Sequence, residues 1–302
     1  MMRIALVITT FILDELRGHR MNRANRFNGN SAANGAHLNC DRSGGSCGIA
    51  FMAKASAPGR TKTRLVPPLT FDEAADLNTA FLQDIAENLL LASRHTSRQA
   101  AIAGYAAFGP PGSEDFFRTI LPESIGLLGA WLPNFGDCLF HTIGELLRRG
   151  HDSAVVLNAD SPTLPTAFLV ETADVLARPG DRAVLGPSTD GGYYLLGLKT
   201  ARRRMFEDIA WSTERVAEQT LERAREIDLE VHMLPAWYDV DNMDDLRRLH
   251  GELCGSETDG RRCAGAIPHR AGATTTLMQK LARGHDFLRS SARILQVEEV
   301  RA

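Results

Sequence analysis

Between Gly48 and Leu253, short apolar runs of β character alternate with stretches of helical apolar spacing, and this alternation restricts the fold more than any other property of the chain. The β-type runs are "GIAFMA", "AAIAGYAAF", "SAVVLNA", "RAVLGP", "YYLLGL" and "LEVHMLP". Helical patterns separate them. Thr70 opens one as a capping box with Glu73, after which Ala74, Leu77, Phe81, Ile85 and Leu89 form a single apolar stripe. Further helices are expected over Glu114 to Leu121, Phe135 to Arg149, Ala167 to Ala177, Thr213 to Glu226 and Met243 to Leu253. Such alternation predicts an α/β fold, a three-layer α/β/α sandwich around a mostly parallel mixed sheet. The strand pair around "DGGYYLLGL" is the expected departure from parallel order. No internal repeat is present.

The core so defined, 48–253, is read as one domain with additions at both ends. From Asp14 to Gly48 the chain is rich in Asn, Gly, Arg and Ser with almost no apolar period, so 1–47 is expected to be a disordered leader or an artefact of start-codon choice. Residues 254–302 read as a flexible tail with a weak helix from Thr276 to Val297. "MMRIALVITTFIL" faintly resembles a signal-peptide core without a cleavage site, and no run approaches a membrane-spanning length. Five cysteines, widely spaced and without a C-x-x-C pair, read as reduced thiols of a cytoplasmic protein rather than zinc ligands. A formal charge of -3 argues against nucleic acid as partner, because phosphate neutralisation needs a broad basic face. Any anion site must therefore be local.

One local site stands out. "MAKASAPGRTKTRL" follows the first strand and carries Lys54, Arg60, Lys62 and Arg64 on a loop shaped by Pro58 and Gly59. Several cations and backbone N–H groups on one loop suit a polyphosphate, whose oxygens need separate donors. A Walker A loop is excluded, since G-x-x-x-x-G-K-[ST] is not formed around Lys62. In open α/β sheets ligands bind outside the carboxyl ends of the strands, so the residues just after the other apolar runs carry the remaining candidates. In "VVLNADSPTLP" a β run ends on Asp160, placed either to cap its own turn or to hold Mg²⁺ or Mn²⁺ through oxygen. "LGPSTDGGYYLLGL" offers Asp190 at a strand mouth, with Gly191 and Gly192 permitting a tight turn or a close ligand. In "LPAWYDVDNMDDL", Asp239 and Asp241 alternate along an extended segment and should project to one side. Asp241 reads as a metal ligand with Asp160, supported by Asp239, or as the N-cap of the helix that follows. "WST" places Trp211 and Ser212 either at a helix start, with Ser212 as cap, or on the wall of a sugar pocket. His141, His151 and His232 lack metal-like spacing.

Taken in order, "MAKASAPGRTKTRL", "LNADSPTLP", "LGPSTDGGYYLLGL", "WST" and "WYDVDNMDDL" resemble the bacterial DUF2064 family of GT-A-type, nucleotide-diphospho-sugar transferase-like proteins, over roughly Gly48 to Leu253. Some members are labelled arsenosugar biosynthesis glycosyltransferases. The resemblance implies a GT-A-like sandwich that binds a nucleotide diphosphate on the first-strand loop together with a divalent cation. It also connects to nucleotidyltransferases of similar fold, the phospholactate guanylyltransferase and molybdenum-cofactor types. One departure is that Asp160 is followed by Ser161 and Pro162, so the Asp-x-Asp pattern of many GT-A enzymes is missing at this strand end, and a single carboxylate there would need help from Asp239 or Asp241.

The reading that follows is a glycosyltransferase using a nucleotide-sugar donor and a small-molecule acceptor. Lys54, Gly59, Arg60, Lys62 and Arg64 would hold the nucleotide, Asp160, Asp239 and Asp241 a Mg²⁺ or Mn²⁺ ion, and Gly191, Gly192, Trp211 and Ser212 the substrate. Asp190 would be the catalytic residue, as acceptor ligand or general base. A nucleotidyltransferase with a triphosphate donor is the alternative, and a non-catalytic nucleotide-binding module the third.

Overall fold

The structure, a computed structural model, describes residues 45–95, 100–254 and 265–285. The expectations for residues 1–44 and for the helix beyond 285 fall outside them.

Seven strands form one sheet: β1 (Gly45–Lys54), β2 (Ala100–Gly109), β3 (Gly126–Gly129), β4 (Ser153–Leu157), β5 (Ala183–Pro187), β6 (Tyr193–Leu198) and β7 (Val231–Met233). Their order is β3-β2-β1-β4-β6-β5-β7. The sheet is parallel except at β6, which runs antiparallel to both β4 and β5. That reversal sits at "DGGYYLLGL" as expected, and its cause is length. Ser188 N donates to Gly192 O at 2.9 Å and closes a connection far too short for a parallel crossover.

Seven helices flank the sheet among the described residues: α1 (Phe71–Arg94), α2 (Glu114–Ile120), α3 (Phe135–Arg148), α4 (Thr166–Ala177), α5 (Val216–Glu226), α6 (Met243–Cys254) and α7 (Gly272–Gly284). The strands divide their side chains between two cores. Ile49, Phe51 and Ala53 of β1 join the core under α1 and α4, while Ala50 and Met52 join the one under α3. The α/β/α sandwich expected from the sequence is therefore the observed fold. Thr70 begins α1 with the expected capping box, its hydroxyl accepting from Glu73 N at 3.2 Å while Glu73 Oε2 accepts from Thr70 N at 2.8 Å.

Four boundaries differ from expectation. β1 starts at Gly45, so residues 45–47 assigned to the leader are strand, paired with both β2 and β4. β3 was not expected, since four residues with glycine at each end carry too short a pattern. α5 starts at Val216 and not at Thr213, because Ser212 has a left-handed backbone (φ 69°) and the chain turns there before it can wind. Ser212 is accordingly not the helix N-cap. The tail helix begins at Gly272 and packs on α1, with Met278 and Leu281 buried. Buried Asp84 of α1 accepts from Ala273 N at 2.8 Å and Thr274 N at 2.7 Å, satisfying two of the helix's first amides. Residues 272–284 are thus part of the domain's core.

Candidate functional site

β1 leads through α1 to β2 on one side, whereas β4 lies on its other side. A crevice opens outside the carboxyl ends of strands whose connections diverge in this way. A cavity occupies that place, reached by the 54–64 loop, the ends of β4 and β5, the Trp211–Thr213 loop and the 239–241 segment. Lys54, Arg60, Lys62, Arg64, Asp160, Asp190, Gly192, Trp211, Ser212, Asp239 and Asp241 all line it, so residues separated by up to 187 positions meet as the sequence reading required. Gly59 and Gly191 do not line it.

Both absent glycines have architectural reasons. Gly59 follows Pro58 in a turn closed by Arg60 N to Ala57 O at 3.0 Å, and its φ of +74° is what a Pro-Gly turn asks for. Gly191 has φ +93°, and a Cβ there would lie 2.1 Å from Glu214 O. It lets the loop carrying Trp211 and Ser212 close onto the β5–β6 turn, where Ala217 N donates to Gly191 O at 3.0 Å.

Lys62 sits deeper than Arg64, two residues on. Its backbone is left-handed (φ 49°, ψ 34°), and its ammonium lies 2.6 Å from Asp160 Oδ1, with the two side chains only 5% and 7% exposed. It also donates to Val240 O at 2.7 Å and lies 5.2 Å from the Phe81 ring centre. Asp160 is therefore neutralised from within the chain.

The remaining carboxylates gather elsewhere. Asp190, Asp239 and Asp241 each present an oxygen such that all three lie within 4.8 Å of one another, an arrangement able to hold a metal ion. The structure thus groups Asp190 with the pair from the extended segment, in the place expected for Asp160. Asp241 is free for this because it does not cap α6. Asn242 Oδ1 accepts from Asp244 N at 2.8 Å, and Asp245 Oδ2 accepts from Asn242 N at 3.1 Å. Asp190 Oδ1 in turn accepts from Gly192 N at 2.9 Å, which fixes the carboxylate over the turn.

Burial pushes the Asp239 carboxyl up, and Asp241, Asp190 and Asp160 push it further, with Lys62 opposing. Burial likewise raises Asp241, against the pull of Lys62 and of Arg64, whose Nη1 lies 3.7 Å from Asp241 Oδ2. Asp241 Oδ1 is buried and makes no hydrogen bond. Carboxylates that disfavour one another's charge, with a buried oxygen among them that makes no hydrogen bond, fit a hard divalent cation such as Mg²⁺ or Mn²⁺.

On the α3 side the cavity is apolar. Met52 of β1, Val156 of β4, Phe135 and Leu139 of α3, Tyr193 of β6 and Trp211 line it. Trp211 meets Phe135 and Tyr193 edge to face, with ring centres 5.5 and 6.5 Å away. Gly136 admits Trp211 against α3, since a Cβ there would lie 2.9 Å from its Nε1. Of this wall the sequence reading named only Trp211, and it missed Asn158, whose buried Oδ1 makes no hydrogen bond. Strand alternation offered the signal, because Asn158 lies two residues beyond Val156 on the same side.

The α/β/α sandwich, with its cavity at the switch point, has the fold of solved nucleotide-diphospho-sugar transferase-like proteins. The structure is similar to a crystal structure described as a "putative nucleotide-diphospho-sugar transferase" from Desulfovibrio desulfuricans G20, at 26% identity and a TM-score of 0.65, covering 82% of this chain and 97% of that one. More distant likenesses include a cytidylyltransferase from Leptospira borgpetersenii serovar Hardjo-bovis (12% identity, TM-score 0.47, 80% of this chain and 96% of that one). Another is Rv0371c from Mycobacterium tuberculosis H37Rv in complex with manganese (15% identity, TM-score 0.38, 68% and 97%). Residues 92–213 match the family DUF2064, "Uncharacterized protein conserved in bacteria", so the family resemblance read from the motifs holds over a segment containing Asp160, Asp190, Gly192 and Trp211. No curated protein matches the chain. Among the described residues, no helix is long and apolar enough to cross a membrane.

Proposed function

We propose that this protein transfers the sugar of a nucleotide-diphospho-sugar donor to a small acceptor, with Mg²⁺ or Mn²⁺ bound by Asp190, Asp239 and Asp241. The observation that carries the reading is the meeting, in one cavity, of three mutually repelling carboxylates, the buried Asp241 Oδ1 that makes no hydrogen bond, and the cationic loop. The likeness to a structure named for such a transferase supports the donor class.

Held by Asp190, Asp239 and Asp241, a divalent ion would supply Lewis acidity toward the charge of a leaving diphosphate. The chain's own groups do the rest. Lys54, Arg60 and Arg64 bind and orient the diphosphate, supplying positive charge that is already in place when charge develops on the leaving group. Asp190 serves as a ligand, its second oxygen held by Gly192 N, and this replaces the general-base role expected for it. The wall of Trp211, Tyr193 and Phe135 excludes water from the sugar, and Ser212 and Gly192 face the same space.

Thermal stability against a panel of nucleotide sugars and nucleoside triphosphates, with and without Mn²⁺, tests this. A donor at a hundred times its Kd adds about 2.7 kcal/mol to native stability. Expected is Mn²⁺-dependent stabilisation by a nucleotide sugar, lost in Asp239→Asn, with nucleoside diphosphate as the product of turnover. Preference for a triphosphate with release of pyrophosphate would overturn the reading in favour of nucleotidyl transfer, and a flat panel would overturn both.

A further inference from the structure

Lys62 belongs to the cationic loop by sequence but not by position. Its ammonium is buried, and two of its three protons are committed to Asp160 Oδ1 at 2.6 Å and Val240 O at 2.7 Å. On its remaining sides stand Asp241 Oδ1 at 3.9 Å and the face of Phe81. The segments it joins are also fastened to each other, Val240 N donating to Asp160 O at 2.9 Å and Ser161 Oγ to Tyr238 O at 2.9 Å. Reaching a phosphate would require breaking a buried ion pair and leaving Asp160 uncompensated, which is strongly unfavourable. The backbone at Lys62 is left-handed, unusual for a side chain of this kind, where the chain turns inward after the exposed residues 58–60.

We propose that Lys62 is a built-in cation of the acidic centre, holding between Asp160 and Asp241 the place that a second divalent ion would otherwise take. Asp160 is then the partner of Lys62 and not a metal ligand. The centre works with one exchangeable ion, on Asp190, Asp239 and Asp241, and one permanent ammonium. Lys62 is a positioning residue: it sets the distance between the end of β4 and the 239–241 segment, and it leaves polyphosphate binding to Lys54, Arg60 and Arg64. This inference rests on the acidic set being a cation site.

Mn²⁺ titration of the full chain, with free Mn²⁺ read by electron paramagnetic resonance, tests it without any substrate. Wild type is expected to bind one ion, Lys62→Met two, and the double variant Lys62→Met/Asp160→Asn one again, with affinity within threefold of wild type. The double variant replaces the ion pair by neutral groups and so remains informative if Lys62→Met alone fails to fold. Wild-type stoichiometry in Lys62→Met would overturn the proposal, as would a tenfold loss of Mn²⁺ affinity in the double variant, since Asp160 would then be a ligand. A wild type that binds no Mn²⁺ would refute the metal in the proposed function. In that case a single ion gained by Lys62→Met still supports the built-in cation, and none gained overturns it.

Discussion

Gly191→Ala separates an architectural from a ligand-contacting role for the "DGG" turn. At φ +93° an L-residue pays a conformational penalty of about 1–2 kcal/mol. The new methyl would also stand 2.1 Å from Glu214 O and 2.6 Å from Glu214 C and Cα, all backbone atoms that yield only if the loop moves. Overpacking of this kind costs about 1–3 kcal/mol. The expected loss is therefore about 2–5 kcal/mol, read by urea unfolding, and a 1 kcal/mol loss lowers the Tm by about 2–4 °C in a domain of this size. Gly192→Ala is the comparison. The nearest atom its methyl would meet is Asp190 Oδ1, at 3.2 Å, at the end of a side chain, and it has no positive φ, so less than about 1 kcal/mol is expected. Gly191→Ala within about 0.5 kcal/mol of wild type would refute the argument. The Trp211 loop would then not depend on close approach to the turn.

Two further outcomes follow from the same coordinates. Burial and like charge push Asp239 up to about 8 and Asp241 to about 6, so from about pH 4 upward the metal-free native chain holds protons that the unfolded chain has lost. Their stabilising contribution is complete at the acid end of that window and disappears as pH rises through 6 to 8, and Asp239→Asn should flatten the fall. A cation must displace those protons, so Mn²⁺ affinity should rise over the same range, and calorimetry showing a flat affinity from about pH 5.5 to 8.5 would contradict it. Within α1, Asp84→Ala removes the acceptor of the Ala273 and Thr274 amides and should cost about 1–3 kcal/mol. Hydrogen exchange should show 272–284 opening before the sheet, and unchanged protection there would mean that apolar packing alone holds α7.

Elements that carry their own period were legible in the sequence. The capping box at Thr70 and Glu73, the apolar runs of β1, β4 and β6, and the tight "DGG" reversal all declare themselves within a few residues, because local chemistry decides them. β3 and the inner half of α7 did not. Four residues between glycines show no period, and α7 is held by Asp84, about 190 positions away, rather than by a strong stripe of its own. The site divides along the same line. Most of the candidates taken from strand ends line one cavity, because strand ends are where open sheets bind ligands.

What no local pattern could show is which carboxylate meets which cation. Lys62 and Arg64 are two residues apart on one loop, yet one is buried against Asp160 while the other, with its side chain 31% exposed, stands 3.7 Å from Asp241. The left-handed backbone at Lys62 itself, absent at Arg64, accompanies the difference. Likewise Asn242 takes the cap of α6 that its neighbour Asp241 was equally equipped to take, and only that choice leaves Asp241 facing Asp190 and Asp239. A sequence states how many charges a site commands. The backbone conformation at one or two positions decides which of them are spent on each other, and so which are left for a ligand.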